Sequence, residues 1–203
     1  MKTCPIRIGV ILNAGFHTMR KKMLFAAALL GVRCFGWAEP ELTRKILDAP
    51  TEIQGYPCAR GYAWFLPDGH LKQCTVSRET AFGEASAPAG SIVVLRLDGT
   101  PNYLFLAHDA PVLGYTCKGG GPLGPSEGAT TAFYPSGKLK QCWLAEDQVV
   151  QGIPCMAAGG FFSAMFHHGG FSTDFYESGK LRSCTLSKNL DGQRRGDVFV
   201  QAP

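Results

Sequence analysis

Cysteine carries the most legible chemistry in this chain of 203 residues, which has 8 Cys. Cys4 and Cys34 fall in an N-terminal stretch with the marks of an export signal. The other six are Cys58, Cys74, Cys117, Cys142, Cys155 and Cys184. None of them forms a CxxC pair, so zinc ligation or thiol exchange fits poorly, and an even number of thiols in an exported chain points to disulfides. Histidine offers the alternatives. His167 and His168 are adjacent, and in an extended strand neighbours point to opposite faces, so they do not readily share a metal. Followed by Gly169-Gly170, they fit an exposed turn. His108-Asp109 could serve acid–base chemistry, but the repeat-equivalent Glu146-Asp147 favours an acidic surface link. His70 stands where related segments place Thr100, Lys138 and Lys180, which fits a solvated turn. No serine sits in a GxSxG elbow, and GGGPLGPSEGAT lacks the Lys-Ser/Thr of a phosphate loop. No catalytic, cofactor-binding or metal-binding residue is assigned.

The elements that hold the cysteines are repeated. FLPDGHLKQCTV, FYPSGKLKQCWL and FYESGKLRSCTL are three versions of one string, and RLDGTPNYLFL is a degraded fourth. Their turn glycines are Gly69, Gly99, Gly137 and Gly179, spaced 30, 38 and 42 residues apart. Five residues past each glycine comes Cys74, Leu104, Cys142 or Cys184; seven past it comes Val76, Leu106, Leu144 or Leu186. A second signature precedes three of the strings: IQGYPC, VLGYTC and VQGIPC, ending at Cys58, Cys117 and Cys155. The Gly99 string lacks both cysteines, with Leu104 in place of one and APAGS (Ala87 to Ser91) in place of the other. Two cysteines lost together are most simply a lost bond. The pairs this implies are Cys58–Cys74, Cys117–Cys142 and Cys155–Cys184.

Pro-Asp-Gly, Pro-Ser-Gly and Glu-Ser-Gly are hairpin turns, since glycine takes positive φ freely and Asp or Ser bonds its own turn backbone. The aromatic flanks suit a half-buried pleated surface, and Lys138, Lys140, Lys180 and Arg182 suit a solvated one. Leu139 and Cys142 differ in parity, so placing both on one strand face requires a bulge or twist. The expected fold is all-β: an irregular array of about four β-hairpins stapled by disulfides. A short helix is expected at most over Glu41 to Leu47, where Leu42, Ile46 and Leu47 fall at helical spacing. Tyr62, Trp64 and Phe65, or Phe161 and Phe162, suit sheet core or the lining of a carbohydrate or peptide groove.

Charge and hydropathy divide the chain. Residues 1–38 hold six of the 20 Lys and Arg and none of the 16 Asp and Glu. The remaining 14 basic side chains are outnumbered by acids, so a nucleic-acid partner is not expected. Met19 to Lys22 forms a basic n-region, Met23 to Val32 an apolar run too short to span a membrane, and Gly36-Trp37-Ala38 a cleavage site. Arg33 before Cys34 disfavours lipoprotein processing. A signal peptide and leader over 1–38, with initiation at Met1 or Met19, and a single repeat domain over 39–203 follow as expectations. They place the mature chain, without a transmembrane span, in the periplasm or outside the cell.

FLPDGHLK, FYPSGKLK and FYESGKLR resemble the core of MORN-type repeats, in the variant found in bacterial antitoxin-like and exported proteins. The resemblance covers about ten residues in each of three units plus the fourth. It implies a hairpin meander acting as an interaction scaffold, without catalysis or cofactor. The expected function is an exported scaffold that binds a protein or an envelope polymer in the bacterial envelope; nothing in the sequence sets its oligomeric state. The alternative is an envelope hydrolase with a site built from inserts near His108, Asp109 and His167. A purely structural envelope protein is a third possibility.

Overall fold

The computed structural model describes residues 40–120, 129–159 and 171–203. The stretch expected to be an export signal, Phe161, Phe162, His167, His168 and the middle of the glycine-rich insert lie outside the described residues. Pro40–Pro203 form one unit, and its described residues are all β. The chain enters with β1 (Thr43–Leu47), and then short and long hairpins alternate. β2 (Thr51–Ile53) turns into β3 (Tyr56–Phe65), which runs on to form the first long hairpin with β4 (Leu71–Val76). β5 (Thr80–Phe82) and β6 (Ala85–Ala87) precede the pair β7 (Ile92–Leu95) and β8 (Pro101–Phe105). β9 (Ala110–Val112) and β10 (Tyr115–Cys117) precede β11 (Thr130–Phe133) and β12 (Leu139–Cys142). β13 (Gln148–Val150) and β14 (Ile153–Cys155) precede β15 (Thr173–Phe175) and β16 (Leu181–Thr185), and β17 (Val198–Val200) ends the order. The long strands make one antiparallel sheet in the order β1-β3-β4-β7-β8-β11-β12-β15-β16-β17. Among the described residues no helix is long and apolar enough to cross a membrane.

Two kinds of turn build the two kinds of hairpin. In the long ones the glycine N–H closes a four-residue turn onto Leu66, Arg96, Tyr134 or Tyr176 O at 2.9, 3.2, 2.9 and 2.8 Å. Gly69, Gly99, Gly137 and Gly179 then take φ of 86, 80, 84 and 85°. A type I turn followed by a left-handed residue matches the twist of the flanking strands, and only glycine enters that conformation without cost. In three of the four short hairpins both tip residues, Gln54-Gly55, Leu113-Gly114 and Gln151-Gly152, have positive φ, the signature of a type I′ turn, whereas at the β5–β6 tip only Gly83 does.

Every long hairpin carries one extra residue on its second strand. Phe65 opposes Leu71 but Trp64 opposes Gln73, leaving Lys72 as the surplus. The same slip leaves Asn102, Lys140 and Arg182 unopposed in the other three. This bulge resolves the parity conflict between Leu139 and Cys142: both now face the same way, and both are buried. The inward residues Phe65, Leu71, Val93, Leu104, Phe133 and Leu181 share one core with Phe82, Val112 and Val150 of the short hairpins, which cover this face of the sheet. Phe82 meets Phe133 edge-on at 5.3 Å, and Tyr115 stacks on Phe175 at 5.0 Å.

Disulfides tie the two layers together. Cys58–Cys74, Cys117–Cys142 and Cys155–Cys184 have Cα separations of 5.7, 5.8 and 5.7 Å. Beside each bond a backbone link closes the unit: Ser77, Ala145 and Ser187 N–H donate to Pro57, Thr116 and Pro154 O. The unit without cysteines keeps this pattern by other means. Leu104 and Ala87 are fully buried, and Ser91 Oγ accepts the Ala107 N–H at 3.1 Å.

The segment Glu41 to Leu47 is not helical. It supplies β1, in register with β3 from Thr43 opposite Phe65 to Leu47 opposite Gly61. So short a helix is marginal in isolation, whereas the free edge of β3 offers ready-made ladder partners. The spacing of Leu42, Ile46 and Leu47 misleads because only Leu47 packs against the core, while Leu42 and Ile46 are exposed.

The bonds close loops of 16, 25 and 29 residues in sequence separation. Chain entropy then gives each about 3.1–3.6 kcal/mol, a spread too narrow to rank them. Cys142→Ser should free Cys117, leave the other two bonds intact on non-reducing peptide mapping, and lower unfolding free energy by about 2–5 kcal/mol.

Candidate functional site

Strand alternation sends every second residue of the long strands to the face opposite the short hairpins. Register joins these residues into one row across the sheet. It runs Arg44, Trp64, Gln73, Val94 and Tyr103. It continues through Ala132, Gln141, Asp174, Ser183 and Val200. Ten strands at the usual spacing make this row roughly 43 Å long. Tyr62 and Tyr103 are 55% and 41% exposed, so these rings are not core. The Arg44 guanidinium lies 4.6 Å from the Tyr62 ring and 5.7 Å from the Trp64 ring. Val94 and Ala132, in the middle of the row, are buried.

The row is bordered by the bulge residues. Lys140 and Arg182 sit 5.9 and 5.8 Å from the rings of Tyr134 and Tyr176. Lys72 donates to Leu95 O; its burial, and then the nearby Arg96, push its ammonium below the usual lysine value. The face therefore carries Arg44, Lys72, Lys140 and Arg182 against Asp174. Exposed rings, cations and the amides of Gln73 and Gln141 suit stacking on and hydrogen bonding to flat polar groups of a polymer. The sequence sets Tyr62, Trp64 and Phe65 side by side, but the strand separates them: Phe65 faces the core, and Tyr62 and Trp64 face out.

A second feature lies on the hairpin side. Gln54 Oε1 accepts the Leu71 N–H at 2.9 Å, and Gln151 Oε1 accepts the Leu181 N–H at 3.0 Å, so each short-hairpin tip is fastened onto its long-hairpin turn. Leu113 occupies the equivalent position over the Gly137 turn and has no amide. Glu84 of the β5–β6 tip reaches that turn instead, its N–H donating to Gly137 O at 3.2 Å. Gly83 beside it lies so close that a Cβ would fall 2.6 Å from Gly137 O. A cleft of ≈ 240 Å³ remains, with Leu113, Tyr115, Leu139 and Phe175 as apolar lining and Glu84 and Lys138 as charged lining. The exchange of Gln for Leu in VLGYTC is its only mark in the sequence.

The histidine candidates do not converge on a reactive arrangement among the described residues. Asp109 Oδ1 accepts the Gly119 N–H at 2.8 Å, and in the next repeat Asp147 Oδ1 accepts the Ala157 N–H at 2.7 Å. Two carboxylates with the same bond at equivalent places are anchors for the chain that follows. His70 is exposed in its turn, its backbone N–H bonded to Asp68 Oδ1. In the second long hairpin the Thr100 hydroxyl and N–H bond Asp98 and hold its carboxyl below the usual value. Among the described residues no three His, Cys, Asp or Glu side chains gather as a metal site.

If Asp109 is an anchor, Asp109→Asn retains the acceptor and should leave stability nearly unchanged. Asp109→Ala and Asp147→Ala should each lower it by about 1–2 kcal/mol in urea denaturation. No protein-family model, curated protein or solved structure matches the chain.

Proposed function

We propose that the chain is an exported, non-catalytic scaffold of MORN-like hairpins that binds a macromolecular partner, a protein or an envelope polymer, in the bacterial envelope. The observation that carries this reading is the outer face of the sheet. It is a continuous row of differing side chains, with exposed tyrosines and cations, on a backbone whose other face is committed to the core. Export is supported by the basic and apolar leader of residues 1–38 and by the three disulfides, which persist in oxidising compartments. Engagement of Asp109 with Gly119 N–H counts against the hydrolase reading around His108 and Asp109.

Export is checked by N-terminal sequencing of the processed protein, which should begin at Glu39; a soluble product retaining Met23 to Ala38 would contradict it. Binding is checked by using the processed protein as bait on envelope fractions, with Tyr62→Ser/Tyr103→Ser on the outer face and Val149→Ser on an exposed short hairpin as the control. The face variant should lose its partner at least roughly tenfold, as removal of exposed aromatic anchors does at interfaces, and the control should keep it. A partner held equally by both proteins would place binding elsewhere.

A further inference from the structure

The two ends of the long sheet are complementary. Among the described residues β1 pairs only with β3, and β17 only with β16, so each end presents a row of backbone donors and acceptors with no described strand beyond it. Register identifies what each end strand stands for. Val200 opposes Ser183 as Asp174 opposes Gln141. The Tyr176 hydroxyl donates to Gln201 O at 2.8 Å, as the Tyr134 hydroxyl donates to Phe175 O at 2.9 Å. β17 thus occupies the first-strand position of a further long hairpin. At the other end Arg44 opposes Trp64 as Gln141 opposes Asp174, so β1 occupies a second-strand position. One end lacks what the other supplies.

We propose that β17 of one copy pairs antiparallel with β1 of a second copy, continuing the sheet head to tail. In the register of the first long hairpin, where Trp64 faces Gln73 and Ala63 faces Cys74, the join sets Val200 opposite Arg44 and Phe199 opposite Lys45. Val198 then meets Ile46 on the outer face. Ile46, Val198 and Val200 are 67%, 51% and 66% exposed, a high exposure for aliphatic side chains on strands, and the join covers all three. Charge selects this pairing over self-pairing of β1, which would bring Arg44 and Lys45 near the same cations of another copy. β17 contains no cation and is preceded by Asp197. Because the sheet has ten strands along its path, an even number, the alternation of strand direction carries across the join without a break. Each added copy again ends in the same two strands, so association is open-ended rather than closed. Two short edges bury less than the roughly 1,000 Å² of a stable complex, which makes the association concentration-dependent. This inference is independent of partner binding on the outer face.

Sedimentation velocity of the purified oxidised protein over rising concentration should show mass increasing past the dimer. Ile46→Lys blocks one end and Val198→Lys the other. Both side chains are exposed, so each variant should keep its three disulfides on non-reducing mapping. Each variant alone should remain monomeric, while an equimolar mixture should give a one-to-one dimer and nothing larger. Wild-type protein that stays monomeric throughout overturns the proposal. So does an Ile46→Lys protein that dimerises by itself through β17, or a mixture that yields no dimer.

Discussion

One surplus residue per long hairpin governs the rest of the structure. A regular strand alternates its faces with period two, so Leu139 and Cys142 could not both point inward. With Lys140 bulged out between paired positions they do. Had the bulge been absent, Cys142 would have faced solvent and no bond to Cys117 could have closed. The same holds for Lys72 before Cys74 and Arg182 before Cys184. In the unit without cysteines the bulge persists at Asn102 and delivers Leu104 to the core. The bulge is therefore the invariant device, and the disulfide is an addition made where it puts a cysteine in reach.

The bulge also bears on how one hairpin grips the next. Lys140 and Arg182 lie over Tyr134 and Tyr176, whose hydroxyls bond Phe175 O and Gln201 O. Arg96 fills the same turn position in the second hairpin and donates to Phe133 O at 2.5 Å. Leu66 holds that position in the first hairpin and cannot donate, and there the bulge residue Lys72 bonds Leu95 O itself. A phenol, a guanidinium and an ammonium thus each satisfy a carbonyl at the tip of the neighbouring hairpin. Since a lone hairpin is marginal in water, these lateral bonds and the shared core make the array stable as a unit.

Sequence carried the parts of this scheme that rest on covalent or conformational necessity. Positive φ at Gly69, Gly99, Gly137 and Gly179 and the coordinated loss of two cysteines are legible because few residues can substitute for them. The parity of Leu139 and Cys142 announces a bulge without saying where it lies, since any residue tolerates the extra position. The short hairpins are harder to see: Gln54, Leu113 and Gln151 are unusual at positive φ, where Asn or Asp is the customary signal. Their amides explain two of the three, because Gln54 and Gln151 fasten the tip to the long turn. The strand state of β1 is hidden because edge pairing depends on the distant β3, which local spacing does not encode. The outer row is invisible for the same reason: Arg44 and Val200 become members of one line only after ten strands have been set in register.

That row separates structural from free positions. The inward sites repeat their chemistry from unit to unit: Phe65, Leu95, Phe133 and Phe175 precede the turns, and Leu71, Leu139 and Leu181 follow three of them. The core favours apolar groups at these sites, although two inward positions further along the strands hold Thr131 and Thr173, whose hydroxyls are buried without a hydrogen-bond partner. Outward, Trp64, Val94, Ala132 and Asp174 occupy one equivalent position, as do Gln73, Tyr103, Gln141 and Ser183. An indole, an isopropyl, a methyl and a carboxylate share no packing role, so the fold does not dictate them. A backbone that fixes such positions at strand spacing while leaving their chemistry open suits recognition of an extended partner along the row. The inner face, held by the turns, bulges and disulfides, fixes the register that brings these positions into one line.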